Sequence, residues 1–201
     1  MKWIMNRAMA NRAQRVCARL APHLPDDGTV LDVGCGTGHN AEYIRSKFRR
    51  DVSEADVADM KTVGPPPMLF DGQNLPFEDG SFDTSLLLYV LHYATDQERI
   101  LRELRRVTRN RLLILQSTYN GPTARSALSF REFFLGRGAL TAASACGVVS
   151  ANAAAFRVNQ FMSRDGMEEL LKKTGWKLTA VRPERTWPLQ LSRDLFVAKP
   201  E

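Results

Sequence analysis

Apolar residues recur at helical spacing near the start of the chain. Met5, Met9, Ala13, Val16 and Leu20 share one face and predict a helix over residues 3–21. Pro22 and Pro25-Asp-Asp-Gly28 end it. The pattern then shortens: Val30-Leu31 with Val33 is a β-branched run that reads as a buried strand. Residues 41–48 return to an amphipathic helix, with Ile44 and Phe48 on one side and Arg45, Lys47 and Arg49 outside. Residues 52–57 form a second strand that is unusually polar, and Val63-Gly-Pro-Pro-Pro67 is a stiff connection to a short strand at Met68-Leu-Phe70. Phe82 to Leu88 is a strand whose apolar end suits the centre of a parallel sheet. Thr95 or Asp96 caps a helix that runs to about Val107, burying Ile100, Leu101, Leu104 and Val107. Arg111 to Ser117 is the fifth strand, entered from a turn at Thr108-Arg-Asn110 in which Asn takes the left-handed conformation.

The alternation lapses across residues 118–160, which carry a Phe-rich segment and an Ala- and Ser-rich segment without charge. A stretch this long implies helices of its own, and it reads as an insertion covering a pocket. Order resumes with a helix from Ser163 to Lys173 that Gly175 stops. Trp176–Arg182 and Ser192–Ala198 are the last two strands, an antiparallel hairpin at the sheet edge. Strands alternating with helices predict an α/β domain with helices on both faces of a mostly parallel sheet. The 201 residues suit one such domain, 1–201, with residues 1–27 as an N-terminal helical segment.

Composition changes this picture little. The apolar fraction of 44% is that of a globular chain. The net charge of +6 is concentrated at Lys2, Arg7, Arg12, Arg15 and Arg19, before any acid appears. A solvated helix face accounts for it as well as an RNA or anionic-membrane partner does. Cys17, Cys35 and Cys146 have neither metal nor disulfide spacing, so no metal site is expected and a reducing, cytoplasmic setting is. No stretch reads as a signal peptide or reaches transmembrane length.

The chemistry gathers at Thr29-Val-Leu-Asp-Val-Gly-Cys-Gly-Thr-Gly-His39. Gly34, Gly36 and Gly38 let the backbone turn sharply and bring a ligand close to the main chain, and the helix that follows presents free N–H groups. Asp32, two residues before the first glycine, is a carboxylate that a phosphate loop would avoid and an ammonium ligand would favour. The dinucleotide fingerprint also lacks its third glycine, since position 39 is His. Val30-Leu-Asp-Val-Gly-Cys-Gly-Thr-Gly38 resembles the first motif of the class I S-adenosylmethionine-dependent methyltransferases.

That resemblance implies a Rossmann-like, seven-stranded sheet and S-adenosylmethionine as cofactor. It implies that Asp32, Gly34, Cys35 and Gly36 hold the methionine end, with His39 lining the same site. An acid at the end of the second strand takes both ribose hydroxyls. Asp51, Glu54, Asp56 and Asp59 compete for that role, and Asp56 with Val57 is preferred, because it lies 24 residues after Asp32 and Asp56-Val-x-x-Met60 fits the family pattern. Asp71-Gly-Gln-Asn-Leu-Pro-Phe77 resembles the segment whose acid and following N–H, here Asp71 and Gly72, hold the adenine edge; a simple Asp-Gly turn is the alternative.

Leu88, Tyr89, His92 and Tyr93 fall beyond the carboxyl end of the fourth strand, where doubly wound sheets bind ligands. His92 and Tyr89 are therefore the candidate catalytic residues, with packing as the plainer role for His92. Methyltransferases acting on exocyclic amines of nucleic acids resemble one another in an Asp/Asn-Pro-Pro-aromatic motif after that strand. Here the position reads Leu88-Tyr-Val-Leu, which argues for a small-molecule acceptor and against nucleic acid. An RNA methyltransferase using the basic helix, and a non-catalytic cofactor-binding partner subunit, are the alternatives; a monomer or a homodimer suits the main reading.

Overall fold

The computed structural model describes residues 2–119, 160–186 and 191–201. A long helix, α1 (Lys2–Leu20), and one 3-10 turn lead into β1 (Thr29–Val33), α2 (His39–Phe48) and β2 (Asp51–Asp56). Next come β3 (Met68–Leu69), β4 (Phe82–Leu88), α3 (Gln97–Val107) and β5 (Thr108–Tyr119). The last part comprises β6 (Met162–Ser163), α4 (Arg164–Lys173), β7 (Trp176–Arg182), β8 (Arg185–Thr186) and β9 (Leu191–Pro200).

Seven strands make one continuous sheet in the order β3-β2-β1-β4-β5-β9-β7, and the two-residue strands β6 and β8 pair with β5 and β9. β1 through β5 are parallel, while β9 runs antiparallel between β5 and β7. The expected closing hairpin is present, with its second strand on the inside. Burial follows the strand alternation. Val30, Leu86 and Leu113 pack with Val16, Leu20, Ala41 and Ile44 beneath α1 and α2. Leu31, Leu87 and Ile114 pack with Leu101, Leu104, Met167 and Leu171 beneath α3 and α4. Trp176 is 1% exposed on that second face and donates its indole N–H to the Leu101 carbonyl at 3.0 Å.

Two sequence expectations change. No turn separates α3 from β5: Thr108 is already extended (φ −107°, ψ 126°), so the helix passes directly into the strand. The Thr108 hydroxyl lies 2.6 Å from that of Ser85, and a register irregularity between Phe82 and Thr84 absorbs the extra length. Asn110 is therefore a strand residue, with its amide donating to Asp83. The expected insertion also begins too early, since Thr118 and Tyr119 are the last residues of β5 and pair with β6. The rest of that expectation, helices over residues 120–159, lies outside the described residues. No described helix is long and apolar enough to cross a membrane.

Candidate active site

The strand order reverses between β1 and β4, and the crevice beyond the carboxyl ends of the two strands is where a doubly wound sheet takes a ligand. The chain leaves β1 through Gly34, whose N–H donates to the Ala55 carbonyl at 2.8 Å, so the turn is locked to β2 at once. Gly38 (φ 83°) starts α2, and a Cβ there would stand 2.6 Å from the Val63 carbonyl oxygen. Gly36 (φ 55°) differs: the space where its Cβ would stand is open. Its N–H donates to Asp56 Oδ2 at 2.8 Å, and the Val57 N–H donates to Oδ1 at 2.7 Å. Asp56 thus joins the end of β2 to the middle of the glycine turn while remaining 4% exposed. Burial pushes its carboxyl above the usual range, against the opposing pull of those N–H donors.

A cleft of about 570 Å³ opens here. Gly34, Asp56, Val57, Asp71, Gly72, Leu88 and Tyr89 line it, together with Met60, Phe70 and Arg12 from α1. Of the residues singled out from sequence, these seven and Tyr93 come together. Asp71 is exposed, and its oxygens accept from the Gln73 and Asn74 N–H groups (2.8 and 2.6 Å) and from the Asn74 amide. Those bonds, the Asn74 N–H first, hold its carboxyl below the usual range. Asp71 is therefore both a loop-forming residue and part of the cleft wall.

Asp32 is not in that wall. It is 1% exposed behind the turn, and neither oxygen has a hydrogen-bond partner. Burial, reinforced by the nearby Glu54 and Asp56, pushes its carboxyl up to about 8. Cys35 is buried with it, its thiol held high mainly by burial. His92 is also absent from the wall. It is 6% exposed, with Nδ1 2.7 Å from the Gln116 amide nitrogen, and so accepts there. Its ring lies against Tyr93 (centroids 4.0 Å apart) and stacks on Phe161 (6.3 Å, 14°). His39 faces away, lining a groove with Asn6 and Tyr43 and meeting the Thr37 hydroxyl at 3.0 Å.

Tyr89 is held at φ 60°, a conformation an aromatic residue adopts only when its surroundings impose it. Its N–H donates to the Leu115 carbonyl at 2.7 Å, and the Arg12 guanidinium lies 5.1 Å above its ring. The turn after β4 is thereby fixed so that Tyr89 borders the cleft and also a second cavity of about 690 Å³.

Sequence reasoning missed two contributors. Lys61, with its side chain only 5% exposed, pairs with Glu54 against Gly38, while Arg45 reaches the same carboxylate at 2.6 Å. The Thr62 N–H bonds the Thr37 carbonyl at 3.2 Å, so the segment after β2 clasps the glycine turn. Glu54, a competitor for the strand-end role, is thus occupied, and Asp59 only accepts from the Lys61 N–H. Arg12 is the other contributor; its one available signal, the Arg12, Arg15, Arg19 spacing, also fits a solvated face. Among the described residues no cluster of His, Cys, Asp and Glu could hold a metal ion.

A doubly wound sheet with a glycine turn at the switch point, faced by a carboxylate from the neighbouring strand, defines a nucleotide-type α/β binding domain. A family profile described as "Methyltransferase domain" matches residues 5–181. The chain belongs to this family, as a class I S-adenosylmethionine-dependent methyltransferase domain. It is 34% identical over 115 residues to a "Probable S-adenosylmethionine-dependent methyltransferase" of Mycobacterium tuberculosis, covering 54% of this chain and 42% of that protein. It is also 29% identical over 101 residues to the mitochondrial arginine-hydroxylase NDUFAF5 of Danio rerio, covering 47% of this chain and 32% of that one. The chain spans about two fifths of the length of the first curated relatives it matches. Among solved structures, the 1,6-didemethyltoxoflavin-N1-methyltransferase of Burkholderia thailandensis, with its substrate and S-adenosylhomocysteine bound, shares the fold. Its TM-score is 0.61 at 16% identity, over 94% of this chain and 77% of that one.

Proposed function

We propose that this chain transfers a methyl group from S-adenosylmethionine to a small-molecule acceptor. The observation that carries the reading is the bracket made by Asp56, which accepts from Gly36 and Val57 at the mouth of the cleft beside an open glycine cradle. A carboxylate has about four lone-pair sites. The Gly36 and Val57 N–H groups bond one oxygen each, with the Ala58 N–H and the Cys35 thiol close by, and the lone pairs directed into the cleft are the acceptors offered to a vicinal diol such as the ribose. Val57 and Phe70 offer apolar faces to the adenine, and Asp71 with the Gly72 N–H offers an acceptor and a donor to its edge. Gly34, Cys35 and Gly36 cup the methionine end. Asp32 lies behind them, buried and without a hydrogen-bond partner; burial keeps it protonated in the ligand-free chain, and an ammonium group bound nearby would favour its ionised form. Leu88 closes the floor of the cleft.

Bound there, S-adenosylmethionine would supply an electrophilic methyl group on a sulfonium, whose sulfur would depart as a neutral thioether when the acceptor takes the methyl. The leaving group needs no activation, so the protein's work is to position the acceptor and exclude water. Tyr89, between the two cavities, is the residue placed to orient the acceptor. His92 is read as a positioning residue that holds Tyr93 through ring contact, the plainer of the two roles its sequence position allows. A small acceptor fits the absence of an Asp/Asn-Pro-Pro-aromatic motif after β4.

Calorimetry with S-adenosylhomocysteine tests the cofactor reading. The wild-type chain binds it. Asp56→Ala loses about 1.5–3 kcal/mol of affinity, the worth of hydrogen bonds to a charged group, while Asp59→Ala binds as wild type. Unchanged affinity in Asp56→Ala would remove the ribose assignment, and no heat with folded wild-type protein would remove the function.

A further inference from the structure

The second cavity carries an inference that rests on the function just proposed and deepens it. It adjoins the cofactor cleft, sharing Arg12, Tyr89 and Tyr93 with it. Its floor is Leu115 and Ser117 of β5 and Val16 of α1, and its rim holds Arg12, Arg15, Arg19 and Arg193. Among the described residues Glu184 is the single carboxylate in that lining. It is already committed, since Arg19 reaches its Oε2 at 2.8 Å through Nη1 while its Nη2 donates to the Arg182 and Arg193 carbonyls at 3.0 and 2.8 Å. Among the described residues no acid pairs with Arg12, Arg15 or Arg193. The partner of the Arg12 guanidinium among the described residues is an aromatic ring, that of Tyr89.

Arg12, Arg15 and Arg19 stand three and four residues apart on α1, the spacing at which like charges face and repel one another. A helix that only had to cover the sheet would gain by alternating their signs. Here positive charge converges on a concave site of about 690 Å³ that opens onto the cleft. We propose that this cavity is the acceptor site and that the acceptor is a small anion, with a carboxylate or phosphate group held by Arg12, Arg15 and Arg193 and an apolar or aromatic body against Tyr89, Tyr93 and Leu115. Guanidinium groups match both anions by paired N–H donors. The basic segment at the start of the chain is thereby a ligand-binding wall, and its charge serves a pocket more than an extended polyanion.

The test uses S-adenosylhomocysteine-loaded protein, titrated calorimetrically with naphthalene-2-carboxylate, 2-naphthyl phosphate and the neutral 2-naphthamide. The two anions share one apolar body and separate carboxylate from phosphate preference. At least one anion is expected to bind ten or more times more tightly than the amide. In Arg15→Gln/Arg193→Gln, whose side chains lie outside the cofactor cleft, that preference falls at least fivefold while the affinity for S-adenosylhomocysteine stays as in wild type. Equal binding of anion and amide, or a preference that survives the double substitution, overturns the proposal. So does tight, salt-sensitive binding of a 12-nucleotide single-stranded RNA that the double substitution abolishes while no naphthyl anion binds. Failure of the wild type to bind S-adenosylhomocysteine overturns the function itself and is read separately.

Discussion

Asp32 holds a pronounced electrostatic conflict. A carboxyl with no donor in reach keeps its proton, because ionising it in a dry site beside Glu54 and Asp56 is unfavourable. Its carboxyl rises from 3.8 to about 8 on folding. A raised folded value means that the native state holds a proton the unfolded chain has released, so this contribution to stability is complete below about pH 4 and is lost as pH rises towards 8. Ligand-free wild-type protein should therefore lose stability relative to Asp32→Asn across pH 5–8. Urea midpoints at several pH values check this, and parallel curves for the two proteins would refute it. The glycines allow a second comparison. Gly36→Ala meets open space, so its cost to stability should be only the strain of an alanine at φ 55°, about 1 kcal/mol, while affinity for S-adenosylhomocysteine falls at least tenfold, because the methyl fills the cradle. Gly38→Ala adds to that strain a clash with the Val63 carbonyl oxygen and should cost about 2–3 kcal/mol of stability. Equal effects of the two would deny that the turn divides into a structural and a ligand-facing glycine.

Among the elements, β9 joins the late chain to the early sheet, and Asp194 fastens it. With 0% exposure it accepts from Thr118 of β5 at 2.7 Å, from Ser192, and from Arg164 of α4 at 2.9 and 3.3 Å. Arg164→Ala leaves that charge short of its cation and should cost about 2–3 kcal/mol. Lys173→Ala removes an exposed pair with Glu98 and should cost well under 1 kcal/mol. Urea midpoints at constant slope separate the two, and an equal cost would mean that burial does not set the value of an ion pair here. Elements governed by local periodicity were readable in advance. β4 spans the expected residues, α3 and α4 start at Asp96 and Ser163 caps, and Gly175 ends α4. What was unreadable depends on partners distant in sequence. Thr108–Asn110 resembles a turn until Ser85 and Asp83 hold it extended. Lys61 resembles a loop lysine until Glu54 buries it. The two roles open to His92 look alike in sequence, because Gln116 and Phe161, which surround its ring, are distant along the chain.

At the scale of the molecule, the site sits where the two halves of the sheet meet, with β1, β2 and β3 on one side and β4, β5, β9 and β7 on the other. Asp56 belongs to the first half and Leu88 and Tyr89 to the second, while Arg12 of α1 reaches over the junction. A ligand filling the cleft therefore contacts both halves and binds only when they are assembled. Mass action then stabilises the folded state by about 2.7 kcal/mol at a ligand concentration one hundred times Kd. For a chain of this size that corresponds to a rise in Tm of about 5–10 °C. S-adenosylhomocysteine at that ratio should raise the wild-type Tm by such an amount. Asp56→Ala at the same concentration, with affinity reduced by about 1.5–3 kcal/mol (about 12- to 160-fold), retains only about 0.3–1.3 kcal/mol and so at most about half the shift. A full shift in Asp56→Ala would mean that the two halves are bridged without the strand-end carboxylate. A Tm unmoved in wild type, under conditions where calorimetry detects binding, would mean that the ligand recognises one half alone, and the junction would lose its part in holding the fold together.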